Sequence, residues 1–346
     1  MLSTLGDGYA TDTGCIKPRC DYMTERDARA LRVDESWDTY WRGALSGAAF
    51  TSGGTSHPAI QAFWIEFFRA TRAADEAPEI IDIASGTGAV IECAKSAYDG
   101  QLPDFTCLDV SASAIRILEQ RYPSTRTIVA NASKIPLDSH DFDIVTSQFG
   151  IEYAGVDAID EVARLVAPGG QLCLLLHNLA GSIHEECAAS LDAIERMQQA
   201  EFIPHAIAMF ESGFAACGGA ERADYDIAAK RLAPAVQVLE SIMTQHGKHV
   251  AGDMVMRLYD DVATIHEQMR HYVPSEVLEW LNRLHGELHA FAGRMASMCD
   301  AAIDRTAFER ICDGLREHSF SIARADALVN PGQQSPLAWA LIATRE

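Results

Sequence analysis

Residues 80–88 read IIDIASGTG, a short apolar run that ends in a glycine turn, and they open the part of the chain that decides the fold. Four further apolar runs follow: FTCLDV (105–110), RTIVANA (126–132), FDIVTSQF (142–149) and QLCLLLHN (171–178). Helical patterns separate these runs at about 88–99, 112–121 and 157–167. Buried strands that alternate with helices are typical of a parallel sheet with helices on both faces. We therefore expect an α/β fold with a doubly wound, mostly parallel sheet.

The last part of the chain is expected to close this sheet. After Asn178, amphipathic helical patterns replace the strand patterns as far as residue 318. Strand character returns at 319–328 and 336–344, on either side of a turn at 330–332. Two strands joined by a short turn predict an antiparallel hairpin. The sequence thus predicts seven strands, with a helical insertion between the fifth and the sixth.

The chain before the first strand shows two patterns. Residues 1 to about 34 have little periodicity and predict a loosely ordered leader, which is followed by the aromatic residues Trp37, Tyr40 and Trp41. Residues 57–74 place large apolar side chains, Trp64 among them, at helical spacing. We interpret this helix as core packing.

Composition excludes several classes of function. The chain has 346 residues and a formal net charge of −21, which repels phosphate backbones and makes nucleic acid an improbable substrate. No apolar run approaches the roughly 18 residues that a membrane span needs. The first twenty residues do not resemble a secretory signal, so we expect a cytoplasmic protein with no membrane partner.

A metal site is not expected. The nine cysteines are scattered without zinc spacing, so we interpret them as reduced and mostly buried. His285 and His289 have the i, i+4 spacing of a two-histidine ligand pair, but no third ligand accompanies them in the sequence. Solvated helix surface explains this pair better, and we predict no metal.

The glycine turn carries the strongest functional signal. Gly86 and Gly88 allow a ligand to approach the backbone, and the helix that begins near Ala89 presents unpaired N–H groups. Asp109 ends the second strand about twenty residues later, where a carboxylate can accept both ribose hydroxyls of an adenosine.

Two ligand classes share that geometry. A dinucleotide needs a pyrophosphate cradle with a third glycine, and Ile91 stands at that position here. Asp82, directly before the turn, would repel a pyrophosphate but can interact with the ammonium of an amino-acid tail. A cationic sulfonium with an α-amino group fits both observations better than a nicotinamide cofactor does.

Four motifs in order carry a family resemblance: DIASGTG, LDVS, VANASKIPLDSHDFDIVTSQFGIEY and EVARLVAPGGQLCLLLHN. The series resembles the class I, Rossmann-like S-adenosylmethionine-dependent methyltransferases, over about residues 79–178 and the closing hairpin at 319–344. The resemblance implies that S-adenosyl-L-methionine is the cofactor and that a methyl group passes to a small-molecule acceptor.

The resemblance also implies roles for individual residues. The methionine and ribose portion of the cofactor would be lined by Ala84, Ser85, Gly86 and Gly88, with Asp109 on the ribose and Val110 on the adenine. The adenine would further meet Asn131 and Ala132, while Ser147, Gln148 and Phe149 would stand beside the transferred methyl. Two residues depart from the family pattern, because Ala84 replaces a glycine and Asn131 replaces a carboxylate.

A general base is optional in this chemistry, since the sulfonium already carries an activated methyl group. If the acceptor is a hydroxyl or an acidic carbon, a base would help. Glu152, Tyr153 and His177 follow the fourth and fifth strands, where ligands bind in open α/β sheets. Two of them also have a simpler interpretation, Glu152 as a solvated residue after a strand and His177 as a packed or capping histidine.

These readings divide the chain into three parts. We expect residues 1–55 to form the leader and a possible lid, and residues 56–178 with 319–346 to form the cofactor-binding methyltransferase domain. The helical insertion, 179–318, would cap the acceptor or form the interface of a homodimer. Two other functions stay open, a catalytically inactive scaffold for another protein and, with less support, a nicotinamide-dependent oxidoreductase.

Overall fold

A computed structural model of the protein describes Asp38, Trp41 and residues 57–72, 78–155, 158–330, 332 and 335–346. Trp37 and Tyr40, on which part of the lid prediction depends, lie outside the described residues. The strands are β1 Ile80–Ile83, β2 Phe105–Asp109, β3 Arg126–Val129, β4 Phe142–Gln148, β5 Val166–His177, β6 Phe320–Leu328 and β7 Ala338–Arg345. The α-helices before β5 are α1 Pro58–Thr71, α2 Ala89–Ala97, α3 Ala112–Arg121 and α4 Ala158–Ala163. Those after β5 are α5 Ser182–Gln199, α6 Phe202–Cys217, α7 Arg222–His246, α8 Met254–Glu267, α9 Pro274–Ala301 and α10 Arg305–Glu317.

One seven-stranded sheet organises the chain, with strand order β3-β2-β1-β4-β5-β7-β6. Strands β1 to β5 pair in parallel, β7 runs antiparallel to β5, and β6 pairs antiparallel with β7. Every residue of β1 and β2 is buried, as a strand covered on both faces requires. The predicted α/β sheet with its antiparallel closing hairpin is therefore confirmed.

Each face of the sheet has its own apolar core. The first core, on what we call the first face, contains Trp64 and Phe68 of α1 together with apolar residues of α2. The second core lies on the opposite face and includes residues of α4 and α10, such as Ile159 and Phe308. Strand alternation assigns side chains to these faces, because neighbouring residues of a strand point in opposite directions.

Six α-helices lie between β5 and β6. Helices α5 to α9 build a third core of their own, while Ile183 of α5 and Met298 of α9 also join the first core. Helix α10 returns to the second face of the sheet. In the part of the chain that the structure describes, no helix is both long and apolar enough to traverse a bilayer.

The helix expected at 157–167 is shorter than its pattern suggested. Helix α4 ends at Ala163, and β5 already begins at Val166. Val166 pairs with Phe142 of β4 ahead of an irregularity in register, so the APGG segment belongs to the strand. Helical periodicity was wrong here because buried apolar spacing does not distinguish the end of a helix from the start of a strand.

Candidate cofactor and acceptor site

A row of polar side chains lies on the first face, where β1, β4 and β5 end. Alternation along the strands places Asp82, Thr146, Gln148 and His177 on that face, with Ile80, Ile144 and Leu175 of the first core behind them. Asp82 is in register with Thr146, whose Oγ1 donates a hydrogen bond of 2.9 Å to Asp82 Oδ1. Thr146 was missed in the sequence, where it resembled any β-branched strand residue.

The glycine turn between β1 and α2 depends on its left-handed backbone. Gly86 and Gly88 have φ values of +52° and +90°. A Cβ on Gly88 would lie 2.8 Å from the ring of Tyr122, and a Cβ on Gly86 would lie 3.3 Å from the ring of Trp41. No side chain caps the helix that follows. The turn thus presents bare backbone, as the sequence predicted.

Asp109 ties this turn to the next helix. Its Oδ2 accepts a hydrogen bond of 2.8 Å from the Gly86 N–H, and its Oδ1 accepts one of 2.8 Å from the Ser111 N–H. The residue is 8% exposed. Asp109 thus lies between the glycine turn and the start of α3, the place where the resemblance puts the ribose of the cofactor.

The site fits an adenosyl amino acid better than a dinucleotide. Among the described residues, Asp82 Oδ2 and Gln148 Nε2 on the first face are buried without a hydrogen-bond partner. Buried polar groups are normally satisfied, so these two point to a polar ligand at the strand ends. Ser147 Oγ is also buried without a partner, but alternation places it on the second face. Ile91, at the position of the absent third glycine, is completely buried in the first core and makes no room for paired phosphates.

Asp82 is the most perturbed acid at this edge. Burial raises its pKa to about 8, the hydrogen bond from Thr146 acts in the opposite direction, and the nearby charge of Asp109 adds to the rise. The folded protein therefore binds a proton at Asp82 over a pH range in which the unfolded chain has lost it. A cationic ligand beside Asp82 would favour the ionised form.

The stability of the ligand-free protein should therefore fall as pH rises from about 4 to about 8, because the native state binds more protons than the unfolded state. Replacing Asp82 with asparagine, which can still accept from Thr146, should remove this contribution. At pH 8 we expect Asp82→Asn to exceed the wild type in free energy of unfolding by a few kcal/mol, and the gap should shrink toward pH 5. Urea unfolding at both pH values measures this, and a gap that is equal at both would contradict it.

Glu152 and His177 form a buried pair at the same edge. Glu152 Oε1 accepts from the ring nitrogen Nδ1 of His177 at 2.7 Å and from the His177 backbone N–H at 2.9 Å. Their side chains are 1% and 2% exposed. The carboxylate holds the proton on Nδ1, which places the lone pair of a neutral imidazole on Nε2.

Two aromatic residues enclose the histidine ring. Phe149 lies 4.6 Å from it and Tyr153 lies 5.7 Å from it, measured between ring centroids. Burial, with a further contribution from the charge of Glu152, raises the pKa of the Tyr153 hydroxyl well above its usual value. Tyr153 therefore keeps its proton and can act as a donor rather than as a base. The structure brings all three predicted catalytic residues together.

The adenine-side residues lie at the carboxyl ends of β2 and β3. Val110 directly follows Asp109 and is partly exposed, and Ala132 is buried in the second core. Asn131 Oδ1 accepts hydrogen bonds from the Ser133 N–H at 2.9 Å and from the Ser133 hydroxyl at 2.8 Å. This local turn occupies the oxygen that was expected to meet the adenine, so the role of Asn131 stays a prediction that its local bonds do not favour.

Two residues of the leader lie against this site, Asp38 at the start of α3 and Trp41 at the glycine turn. Asp38 Oδ1 accepts from the Ser111 hydroxyl at 2.9 Å and from the Ser113 N–H at 3.1 Å. Trp41 approaches Gly86, as noted above. The aromatic pattern of the sequence indicated Trp41. Asp38 was not predicted, because no pattern along the chain connects it to a helix more than seventy residues later.

The histidine pair of the helical region makes local contacts. His289 Nδ1 lies 2.9 Å from the His285 carbonyl oxygen, and the two rings meet edge to face. Within the described ranges, no group of three or more His, Cys, Asp or Glu side chains is arranged to hold a metal ion.

Comparisons with known proteins agree with this geometry. Residues 81–174 match the family model described as "Methyltransferase domain". The ubiquinone/menaquinone biosynthesis C-methyltransferase UbiE of Campylobacter jejuni is 29% identical over 102 residues, which are 28% of this chain and 43% of that protein. The demethylmenaquinone methyltransferase of Renibacterium salmoninarum is 30% identical over 95 residues, which are 27% of this chain and 38% of that protein. This chain spans less than half the length of either curated relative.

Among solved structures, this chain is similar to geranyl diphosphate C-methyltransferase from Streptomyces coelicolor. It covers 42% of this chain and 64% of its own, with a TM-score of 0.33 and 15% sequence identity. The family match begins in β1 and ends within β5, so it includes the glycine turn, Asp109 and Gln148 but stops before His177. Residues 81–174 of this chain are therefore similar to a methyltransferase domain.

Proposed function

We propose that the protein transfers a methyl group from S-adenosylmethionine to a small-molecule acceptor. The observation that carries the proposal is the junction of the glycine turn with Asp109, whose carboxylate accepts the Gly86 N–H at the carboxyl end of β2, where a ribose can be bound. When bound, the donor supplies an activated methyl group, so the protein has mainly to bind, orient and exclude water.

The chain's own residues divide this work. Gly86 and Gly88 let the nucleoside approach the backbone, and Asp109 would hold its hydroxyls. Asp82, on the first face, would take the ammonium of the amino-acid tail, with Ser85 and Ala84 along the turn. Ser147 and Phe149, at the end of β4, would border the methyl group on the side of the acceptor.

The Glu152–His177 pair would act as the general base for the acceptor. Glu152 keeps the imidazole in one tautomer, and Nε2 would take the proton that the acceptor loses. The curated relative from Campylobacter jejuni is named a C-methyltransferase. A carbon that gains a methyl group must lose a proton, so a similar acceptor here would need such a base.

Replacing Glu152 with glutamine tests the pair. Glutamine retains an oxygen for both His177 N–H groups but lacks the charge that stabilises the imidazolium, so methyl transfer should slow about 100-fold while cofactor affinity is unchanged. Single-turnover rates measure methyl transfer, and calorimetry with S-adenosylhomocysteine measures cofactor affinity. The matched control is Asp192→Asn, because Asp192 also accepts from a histidine, His246, at 2.8 Å but among the helices after β5. Equal rates in Glu152→Gln and in this control would contradict the role.

The leader would close over the cofactor. The contacts of Asp38 with the start of α3 and of Trp41 with the glycine turn support this proposal. Helices α5 and α9, whose residues Ile183 and Met298 join the first core, would then bound the acceptor pocket. A homodimer interface on these helices, a cytoplasmic location and the exclusion of nucleic acid stay predictions from the sequence.

The decisive experiment incubates the protein with isotopically labelled S-adenosylmethionine and a metabolite extract. A labelled small molecule is the expected product, and its identity would name the acceptor. Binding of S-adenosylhomocysteine without any labelled product from a broad extract would instead support a scaffold. Fluorescence titration with NADH tests the oxidoreductase alternative, for which we expect no binding.

A further inference from the structure

Trp64 contacts the site directly, although its sequence pattern indicated only core packing. Its indole Nε1–H donates a hydrogen bond of 2.5 Å to Gln148 Oε1, across 84 residues of chain. Trp64 is completely buried, and the rings of Phe63, Phe67 and Phe68 lie within 5.3 to 6.0 Å of its own. The donor is thus held in one place.

This bond decides which way the Gln148 amide faces. An indole nitrogen can only donate, so the oxygen of the amide must face Trp64 and the NH₂ group must face away. Gln148 is 9% exposed, and its Nε2 has no hydrogen-bond partner among the described residues. Two N–H donors are therefore buried at the end of β4 with nothing in the described chain to accept them.

Asp82 supplies the complementary group on the neighbouring strand. Its Oδ2, which is an acceptor once the carboxyl group is ionised, is buried and also lacks a partner among the described residues, and it does not bond to the Gln148 amide. Asp82 is in register with Thr146, which lies two residues before Gln148 on the same face. That separation is about 7 Å along the strand, so a ligand that meets both groups would lie across the ends of β1 and β4.

We infer that Trp64 is a positioning residue, which orients the Gln148 amide so that its N–H groups bind an oxygen of the bound ligand. The inference rests on the proposed function and adds a ligand chemistry to it. Such an oxygen has two sources, the α-carboxylate of the cofactor and an oxygen of the acceptor beside the methylated atom. Phenylalanine at position 64 would remove the donor and leave the amide free to turn.

The test compares Trp64→Phe and Gln148→Glu with the wild type, using two probes in calorimetry. S-adenosylhomocysteine carries the amino-acid tail, and 5′-methylthioadenosine lacks it. If the carboxylate is the partner, both variants should weaken S-adenosylhomocysteine about 10- to 100-fold and leave methylthioadenosine unchanged. If the acceptor is the partner, both affinities should stay unchanged, while the KM for the acceptor that the extract experiment identifies should rise about tenfold.

Trp339→Phe is the matched control, because Trp339 is also buried and donates its indole N–H to a protein oxygen, that of Ile303 at 2.8 Å, on the second face. A purely structural effect of losing an indole would change both probes alike. The inference is overturned if Trp64→Phe and Gln148→Glu match Trp339→Phe in both affinities and in KM. Failure of the proposed function looks different, because wild-type protein would then bind neither probe, or would bind S-adenosylhomocysteine without forming any labelled product.

Discussion

Replacing Asp109 with alanine should lower the affinity for S-adenosylhomocysteine at least about 100-fold, the largest loss of binding expected of any single change. The variant would lack the two charge-assisted hydrogen bonds that we propose between the carboxylate and the ribose. It would also release the Gly86 and Ser111 N–H groups that it now holds at 2.8 Å each. Calorimetry measures the affinity, and urea unfolding measures the accompanying loss of stability.

Asp304→Ala is the control for the loss of stability. Asp304 accepts a backbone N–H, that of Ala307 at 2.7 Å, as the cap of α10, away from the cofactor turn. Its loss should cost about 1 kcal/mol of stability and leave the affinity for S-adenosylhomocysteine unchanged. An Asp109→Ala protein that binds as tightly as Asp304→Ala would rule out the ribose role and, with it, the central claim about the cofactor site.

Replacing Gly150 with alanine should destabilise the protein by at least about 2 kcal/mol, the largest loss of stability among these predictions. A Cβ at Gly150 would lie 2.2 Å from the Cβ of Ala84, far inside any real contact. Ala84 itself has a φ of 55°, the left-handed conformation that favours glycine. The turn after β1 and the turn after β4 thus share the space of a single methyl group.

This sharing predicts a rescue. Ala84→Gly removes the clashing methyl and relieves the left-handed strain, so the double variant Ala84→Gly/Gly150→Ala should recover to within about 1 kcal/mol of the wild type. Free energies of unfolding for both single variants and the double variant complete the cycle. Gly286→Ala in α9, where a new Cβ would meet nothing within 4 Å, should not destabilise. Additive losses in the double variant would contradict the shared contact.

Local features of the sequence were enough to predict the fold. Strand and helix periods identified the seven strands, whereas the nucleoside position at the glycine turn and Asp109 stays a prediction. Each of these signals is contained within about twenty to thirty residues, the length of one βα unit. Ala84 and Ile91 both stand where related patterns have glycine. The sequence alone showed that Ile91 disfavours a pyrophosphate, but not that the methyl group of Ala84 excludes a side chain at Gly150.

Contacts across the sheet were decided by the tertiary structure. The bond between Trp64 and Gln148 and the meeting of Ala84 with Gly150 join residues more than sixty positions apart. Helical spacing showed that Trp64 faces a core, but no pattern along the chain says what that core places opposite its N–H group. The register of β4 between β1 and β5 decides that, because a shift of one residue would move Gln148 to the other face.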